Sequence, residues 1–527
     1  MTRLLAVSCV LLAAVCAHAQ RSVDIQHYRF QIGLEDRTDT ITGQASIDVV
    51  FLQPASQLVL DLVSLKSGKG MTVTGVTSSD AQLASVHRND SLFITLPRSV
   101  QPGEKMAFRV SYRGIPADGL IISKNKFGHR TFFSDNWPNR ARNWIPCVDD
   151  PADKASVEFL VTAPAHYQVV SNGLRVEEST VPGDKKLTHW KETVPLPTKV
   201  MVIGAADFAM YEAGSIGCVA VTNWVFPENR EQSVKDYASA SGILEFFSDY
   251  IGPYPYKKLA NVQSKTIFGG MENASAIFYF ENSVNGRQDQ EGLIAHEIAH
   301  QWFGNMATEK SFAHLWLSEG FATYMTICYL EKKYGADTAL LLRATDRQQV
   351  IAFAAGSDRP VVDSVSSYMS LLNANSYQKG GWVLHMLRRQ LGDAAFQKAV
   401  RQYYAQYAGK NADTRDLQQV FEKVSAKDLS VFFRQWLYTP GLPKLELQWK
   451  YSTQEKKINV TVKQLQPDVF RFPLELSIQL AGRTLTETIQ VTEALQTFSI
   501  PVRDKPLAVQ ADPGVNLLFD GSLKEMK

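Results

Sequence analysis

Residues 291–321 read EGLIAHEIAHQWFGNMATEKSFAHLWLSEGF. Within this stretch, His296-Glu297-Ile298-Ala299-His300 sits in a helical pattern, so two imidazoles four residues apart fall one turn apart on the same face. Both can reach one ion, and Glu297 beside them can address a water held by that ion. The alternative is a helix whose two histidines are surface or capping residues, and a third donor decides between the two. A hydrolytic zinc takes three protein ligands and leaves a fourth position to water. Glu319 follows His300 after eighteen intervening residues, as the single carboxylate in Leu315-Trp316-Leu317-Ser318-Glu319-Gly320-Phe321. A buried carboxylate without a partner costs several kcal/mol, and a cation is its simplest partner. An exposed acid on an amphipathic face fits poorly beside Trp316, Leu317 and Phe321. The expected cofactor is therefore one Zn2+ per chain, held by His296, His300 and Glu319, with Glu297 as the base.

Outward from this stretch the hydrophobic period changes twice. Between about Asp207 and Tyr438 it is helical, as in Ser241 to Ile251, Gly292 to Trp302 and Gly380 to Leu391, which predicts a mostly α region. Before it, short alternating runs such as Tyr28-Arg29-Phe30-Gln31-Ile32 and Leu92-Phe93-Ile94-Thr95-Leu96, punctuated by Gly, Pro and Asp, predict an all-β region. After Thr439-Pro440-Gly441-Leu442-Pro443 alternation returns in Leu445-Glu446-Leu447-Gln448-Trp449, which predicts a small β-sandwich. The expected fold class is multidomain α+β, divided as 20–205 (N-terminal β domain), 206–440 (catalytic domain) and 441–527 (C-terminal β-sandwich). There is no internal repeat and no low-complexity linker.

With 527 residues, 45% of them hydrophobic and 20% charged, the chain can bury a large core, which excludes disorder or a fibre. A formal net charge of +2 and the lack of any long Lys/Arg run exclude the electrostatic footprint of a nucleic-acid binder. Residues 1–19 read as an export signal, with Arg3, an apolar run from Leu4 to Val15 and Ala17-His18-Ala19 as the cleavage site. This predicts a secreted or periplasmic protein beginning near Gln20. No other stretch carries the ~20 apolar residues that cross a membrane, so no membrane partner is expected after cleavage. Cys9 and Cys16 leave with the signal. Cys147, Cys218 and Cys328 then permit at most one disulfide, and buried free thiols are expected instead. Sequons at Asn89, Asn273 and Asn459 say nothing about function.

Taken together, H-E-x-x-H-x18-E from His296 to Glu319, Gly269-Gly270-Met271-Glu272-Asn273 upstream and Tyr377-Gln378-Lys379-Gly380 downstream resemble the M1 (gluzincin) metallo-aminopeptidases, the family of aminopeptidase N and leukotriene A4 hydrolase. The resemblance spans all three regions, including Arg142 and Pro146-Cys147 in the first, and stops where larger members carry a C-terminal helical domain. It implies a thermolysin-like catalytic domain and hydrolysis of the N-terminal bond of peptides with a free α-amine. It also implies that Tyr377 stabilises the oxyanion, Glu272 binds the α-amine, and Gly269, Gly270, Met271 and Asn273 line the substrate like an added strand.

Two departures from the family stand out. Where many members have a further amine contact five residues before the Arg matching Arg142, this chain has Trp137. Asp135 is then a substitute acceptor, or Trp137 narrows the pocket for the first side chain or stacks on it. His314 replaces a common Asp and is not counted as a ligand. Three other functions are weighed. An endopeptidase shares H-E-x-x-H, and Glu272 discriminates against it. An epoxide hydrolase needs a lipid pocket that no motif reveals. A silent binding protein places no demand on the full set of His296, Glu297, His300, Glu319 and Tyr377. Side-chain preference, biological substrate and oligomeric state are not written in the sequence.

Overall fold

The structure, a computed structural model, describes residues 21–526; the export signal, with Cys9 and Cys16, lies outside the described residues. Strand Val23–Gly33 alternates buried and half-exposed side chains, as its sequence pattern demands, and occupies the middle of an eight-stranded sheet. It pairs parallel with Ala155–Pro164, setting Phe30 opposite Phe159, and antiparallel with Ile41–Phe51. A second, four-stranded sheet runs in the order Gln168–Ser171, Ile203–Ala206, Arg130–Ser134, Leu120–Lys124.

The middle region does not begin as helix. Ala209–Ile216, Val219–Val225, Lys258–Ser264, Ala276–Phe280 and Gly270–Met271 form a five-stranded sheet in that order. Lys258–Ser264 lies parallel to both its neighbours and is buried at every position. A strand covered on both faces has no alternation to display, so periodicity passes over it. Helices Ala240–Tyr250, Glu291–Ala299 and Gly380–Leu391 lie close to the predicted spans, and a further helix, Trp316–Tyr334, packs against the last two.

The C-terminal strands form two facing sheets. One runs Leu495–Pro501, Lys457–Gln464, Lys444–Ser452, Asp520–Glu525, and the other Arg483–Val491, Phe472–Leu480, Ala508–Ala511. Their apolar faces join the helical core without a break: Trp436 meets Phe470 at 5.1 Å between ring centroids, and Arg347 pairs with Asp512 at 2.5 Å. The three described cysteines are free, as expected, but only Cys147 and Cys328 are buried, whereas Cys218 is exposed on the Ala209–Val225 hairpin.

Candidate metal centre

Helix Glu291–Ala299 and the residue after it present His296 and His300, and the first turn of Trp316–Tyr334 presents Glu319. Nε2 of His296 and Nε2 of His300 are 3.1 Å apart, and each lies 3.2 Å from Oε2 of Glu319. Among the described residues this is the one group of His, Cys and acidic side chains whose donor atoms converge in this way. Donor atoms this close together could all bind one small divalent ion, and His296, His300 and Glu319 would be the residues to hold it. Two imidazoles and one carboxylate are also the donor set of a hydrolytic zinc. The residues fit the metal.

Their surroundings orient them. Nδ1 of His300 faces the carbonyl of Phe303 and Oγ of Ser318, both at 3.1 Å, so the ring donates there and leaves Nε2 for a cation. Gly304, with φ +109°, passes so close that a β-carbon would lie 2.2 Å from Oγ of Ser318. The ring of Tyr377 lies nearly parallel to that of His296, with centroids 5.9 Å apart. Burial opposes charge on His300, but Glu319 raises its pKa to about 10. Burial likewise opposes charge on Glu319, yet the two imidazoles hold it below the usual carboxylate range. The carboxylate thus calls for positive charge between the rings, which a divalent cation provides more completely than a proton.

A cavity of about 420 Å³ opens on this triangle. All the predicted site residues border it except Asp135 and Asn273. Glu297 is buried on its floor beneath Gly270, and burial, reinforced by Glu272 and Glu319, pushes its carboxyl well above the ordinary value against the pull of His300. Glu272 is buried too, and its Oε1 has no hydrogen-bond partner. Trp137 forms part of the wall, edge-on to Phe268 at 5.9 Å and to Phe312 at 5.7 Å.

Two expected contacts are corrected. Asp135 is fully buried: Oδ1 accepts from Nη2 of Arg140 at 2.6 Å, and Oδ2 accepts from Oγ1 of Thr266 and the amide of Ile267. With both oxygens engaged it has nothing to offer an amine and instead anchors the run leading into Gly269. Asn273 is buried outside the cavity, which also closes that sequon to glycosylation. His314 hydrogen-bonds Thr414 at 2.9 Å and is not part of the triangle. Arg142 pairs with Asp61 and Asp149. Sequence reasoning missed Phe268, Gly292, Leu293 and Leu372, which complete the wall; apolar residues of this kind carry no motif and are recruited by the fold alone.

Residues 236–436 match the peptidase family M1 domain, and residues 25–200 match the peptidase M1 N-terminal domain, together well over half of the chain. The chain belongs to the M1 peptidase family. Among M1 relatives, it is 31% identical to aminopeptidase M1-C of Oryza sativa subsp. japonica over 80% of this chain and 50% of that protein. It is 25% identical to leukotriene A-4 hydrolase of Xenopus laevis over 89% of this chain and 80% of that protein. Its fold matches the crystal structure of an M1 zinc metallopeptidase from Deinococcus radiodurans with a TM-score of 0.70 and 25% identity, covering 80% of this chain and 95% of that one. The chain spans about half the length of the aminopeptidase M1 proteins it matches.

Proposed function

We propose that this M1 chain is a zinc-dependent aminopeptidase that removes the first residue of peptides bearing a free α-amine. The observation that carries the reading is Glu272: a buried carboxylate with one oxygen unpartnered, bordering the same cavity as His296, His300 and Glu319. A free ammonium is the partner that such an oxygen lacks, and a carboxylate beside the metal fixes how far from the chain end cleavage falls.

His296, His300 and Glu319 would hold zinc, which when bound supplies Lewis acidity to the scissile carbonyl and to the attacking water. Glu297 takes a proton from that water and delivers it to the departing amine. Buried beside His300 and bordering the cavity, its carboxylate can take up that proton and return it within the same site. The phenol of Tyr377 donates to the oxygen that gains charge as the carbonyl is attacked. Burial, together with Glu319, Glu272 and Glu297, keeps that phenol protonated and able to donate. Trp137, Phe268 and Leu293 exclude water from the first side chain of the substrate.

The test compares a leucyl chromogenic amide with its N-acetylated form, using protein stripped of metal and then restored with zinc. The reading predicts turnover of the free amine alone, and only after zinc is added. Equal cleavage of both substrates would replace it with an endopeptidase. Export guided by residues 1–19 is a separate proposal, tested by whether the mature protein recovered from its host begins at Gln20.

A further inference from the structure

Gln301 follows the metal ligand His300 directly, and its side chain is fully buried. Its Nε2 donates to the carbonyl of Glu272 at 2.8 Å, and its Oε1 accepts from the amide of Ser275 at 2.9 Å. The remaining N–H faces the carbonyl of Glu297 at 3.4 Å. One amide thus bridges both ends of the Glu272-Asn273-Ala274-Ser275 loop to the turn that carries the catalytic helix residues. The loop needs such a clamp. Ser275 lies in the left-handed region at φ +60°, which a non-glycine residue adopts at a cost unless its surroundings impose it. Asn305 adds a second donor, its Nδ2 reaching the same Glu272 carbonyl at 2.6 Å, while its own amide binds the His300 carbonyl at 3.1 Å.

We infer that Gln301, assisted by Asn305, is a positioning residue that sets the distance between the amine-binding carboxylate of Glu272 and the metal ligands. This inference rests on the reading of Glu272 as the amine acceptor. Neither side chain borders the cavity, so neither touches substrate; they act through the backbone of Glu272. Because the clamp grips the carbonyl of Glu272 and leaves the carboxylate free, it fixes where the ammonium sits without competing for it.

Gln301→Met keeps the volume and removes the amide. The expected result is a KM for a leucyl chromogenic amide raised about tenfold, with kcat within about threefold and zinc still at one per chain. Exchange of the Ser275 amide hydrogen should speed up by about tenfold or more. Gln301→Glu keeps an acceptor for Ser275 and, protonated in this buried position, at most one donor, so it should restore protection of that amide and give a KM between those of wild type and Gln301→Met. An unchanged KM, a fall in kcat alone, or unchanged Ser275 protection would overturn the inference. If Gln301→Met does not fold, Asn305→Ala removes only the second donor and should raise KM about threefold, and no rise would overturn it. Should the wild type cleave acetylated and free substrates equally, the aminopeptidase reading fails, while Ser275 exchange still decides whether the clamp exists.

Discussion

Gly270 and Glu297 touch so closely that any side chain on Gly270 must displace that of Glu297: a β-carbon on Gly270 would lie 2.4 Å from Oε1 of Glu297 and 2.6 Å from its Cγ. The missing side chain makes room for the base. Gly270→Ala should push the Glu297 carboxylate out of place and lower kcat by about 10²-fold, the order of a lost general base. Zinc content should stay at one per chain, since no ligand is touched. Measured kcat close to wild type would show that Glu297 has other room or another role.

Gly320 and Gly380 play the same part between two helices. A β-carbon on Gly320 would come 2.8 Å from the α-carbon of Gly380, a clash with backbone that no rotamer relieves. This contact brings Glu319 and Tyr377 to one cavity, because Glu319 directly precedes Gly320 and Tyr377 lies three residues, about one helical turn, before Gly380. Gly320→Ala should cost about 1–3 kcal/mol of stability, seen as a lower denaturant midpoint, and should also reduce kcat.

Glu319→Ala should abolish the response to metal. Zinc added to chelator-treated wild type should raise the melting temperature, because a ligand that binds only the folded state stabilises it by mass action. The variant should show little rise and little retained zinc. An equal rise in both would place the metal elsewhere.

The turn that carries Tyr377, Asn375–Lys379, is tied down by Lys379, which is 1% exposed and donates to the carbonyl of Gly441 at 2.6 Å. Burial lowers its pKa to about 7, below the ~10.4 of an unfolded lysine. Between those values the unfolded chain holds a proton that the folded one has released, so stability rises with pH from about 7 to about 10 and is flat below. Lys379→Met should remove this slope, making the difference in unfolding free energy between pH 7 and pH 9.5, measured by denaturant titration, smaller by an amount on the order of 2–4 kcal/mol. A slope unchanged by the substitution would mean that Lys379 stays charged.

What the sequence disclosed about the site was whatever a single helix or short loop encodes. The spacing of His296 and His300 is one helical turn, and Glu319 is conspicuous because its neighbours are apolar. Strands were legible where one face meets solvent, as in Val23–Gly33, and hidden where both faces are covered, as in Lys258–Ser264. The closeness of Asp135 to Trp137 in sequence suggests a shared role, whereas in the fold Arg140 and Thr266 claim both its oxygens. Gln301 carries no sign in the sequence for the opposite reason: its partners, Glu272 and Ser275, lie more than twenty residues upstream, and only the fold brings them near.

The unequal burial of the cysteines gives the folded protein a chemical address. Burial raises the Cys328 thiol to about 12 and holds Cys147 well above the ordinary thiol range, so neither offers a thiolate to a reagent at neutral pH. Cys218 stands in solvent on its hairpin. Among the described residues, a maleimide dye should therefore couple once, at Cys218, and a second and third coupling should appear only as the chain unfolds. The same reagent thus serves as a label for the native state and a clock for its loss.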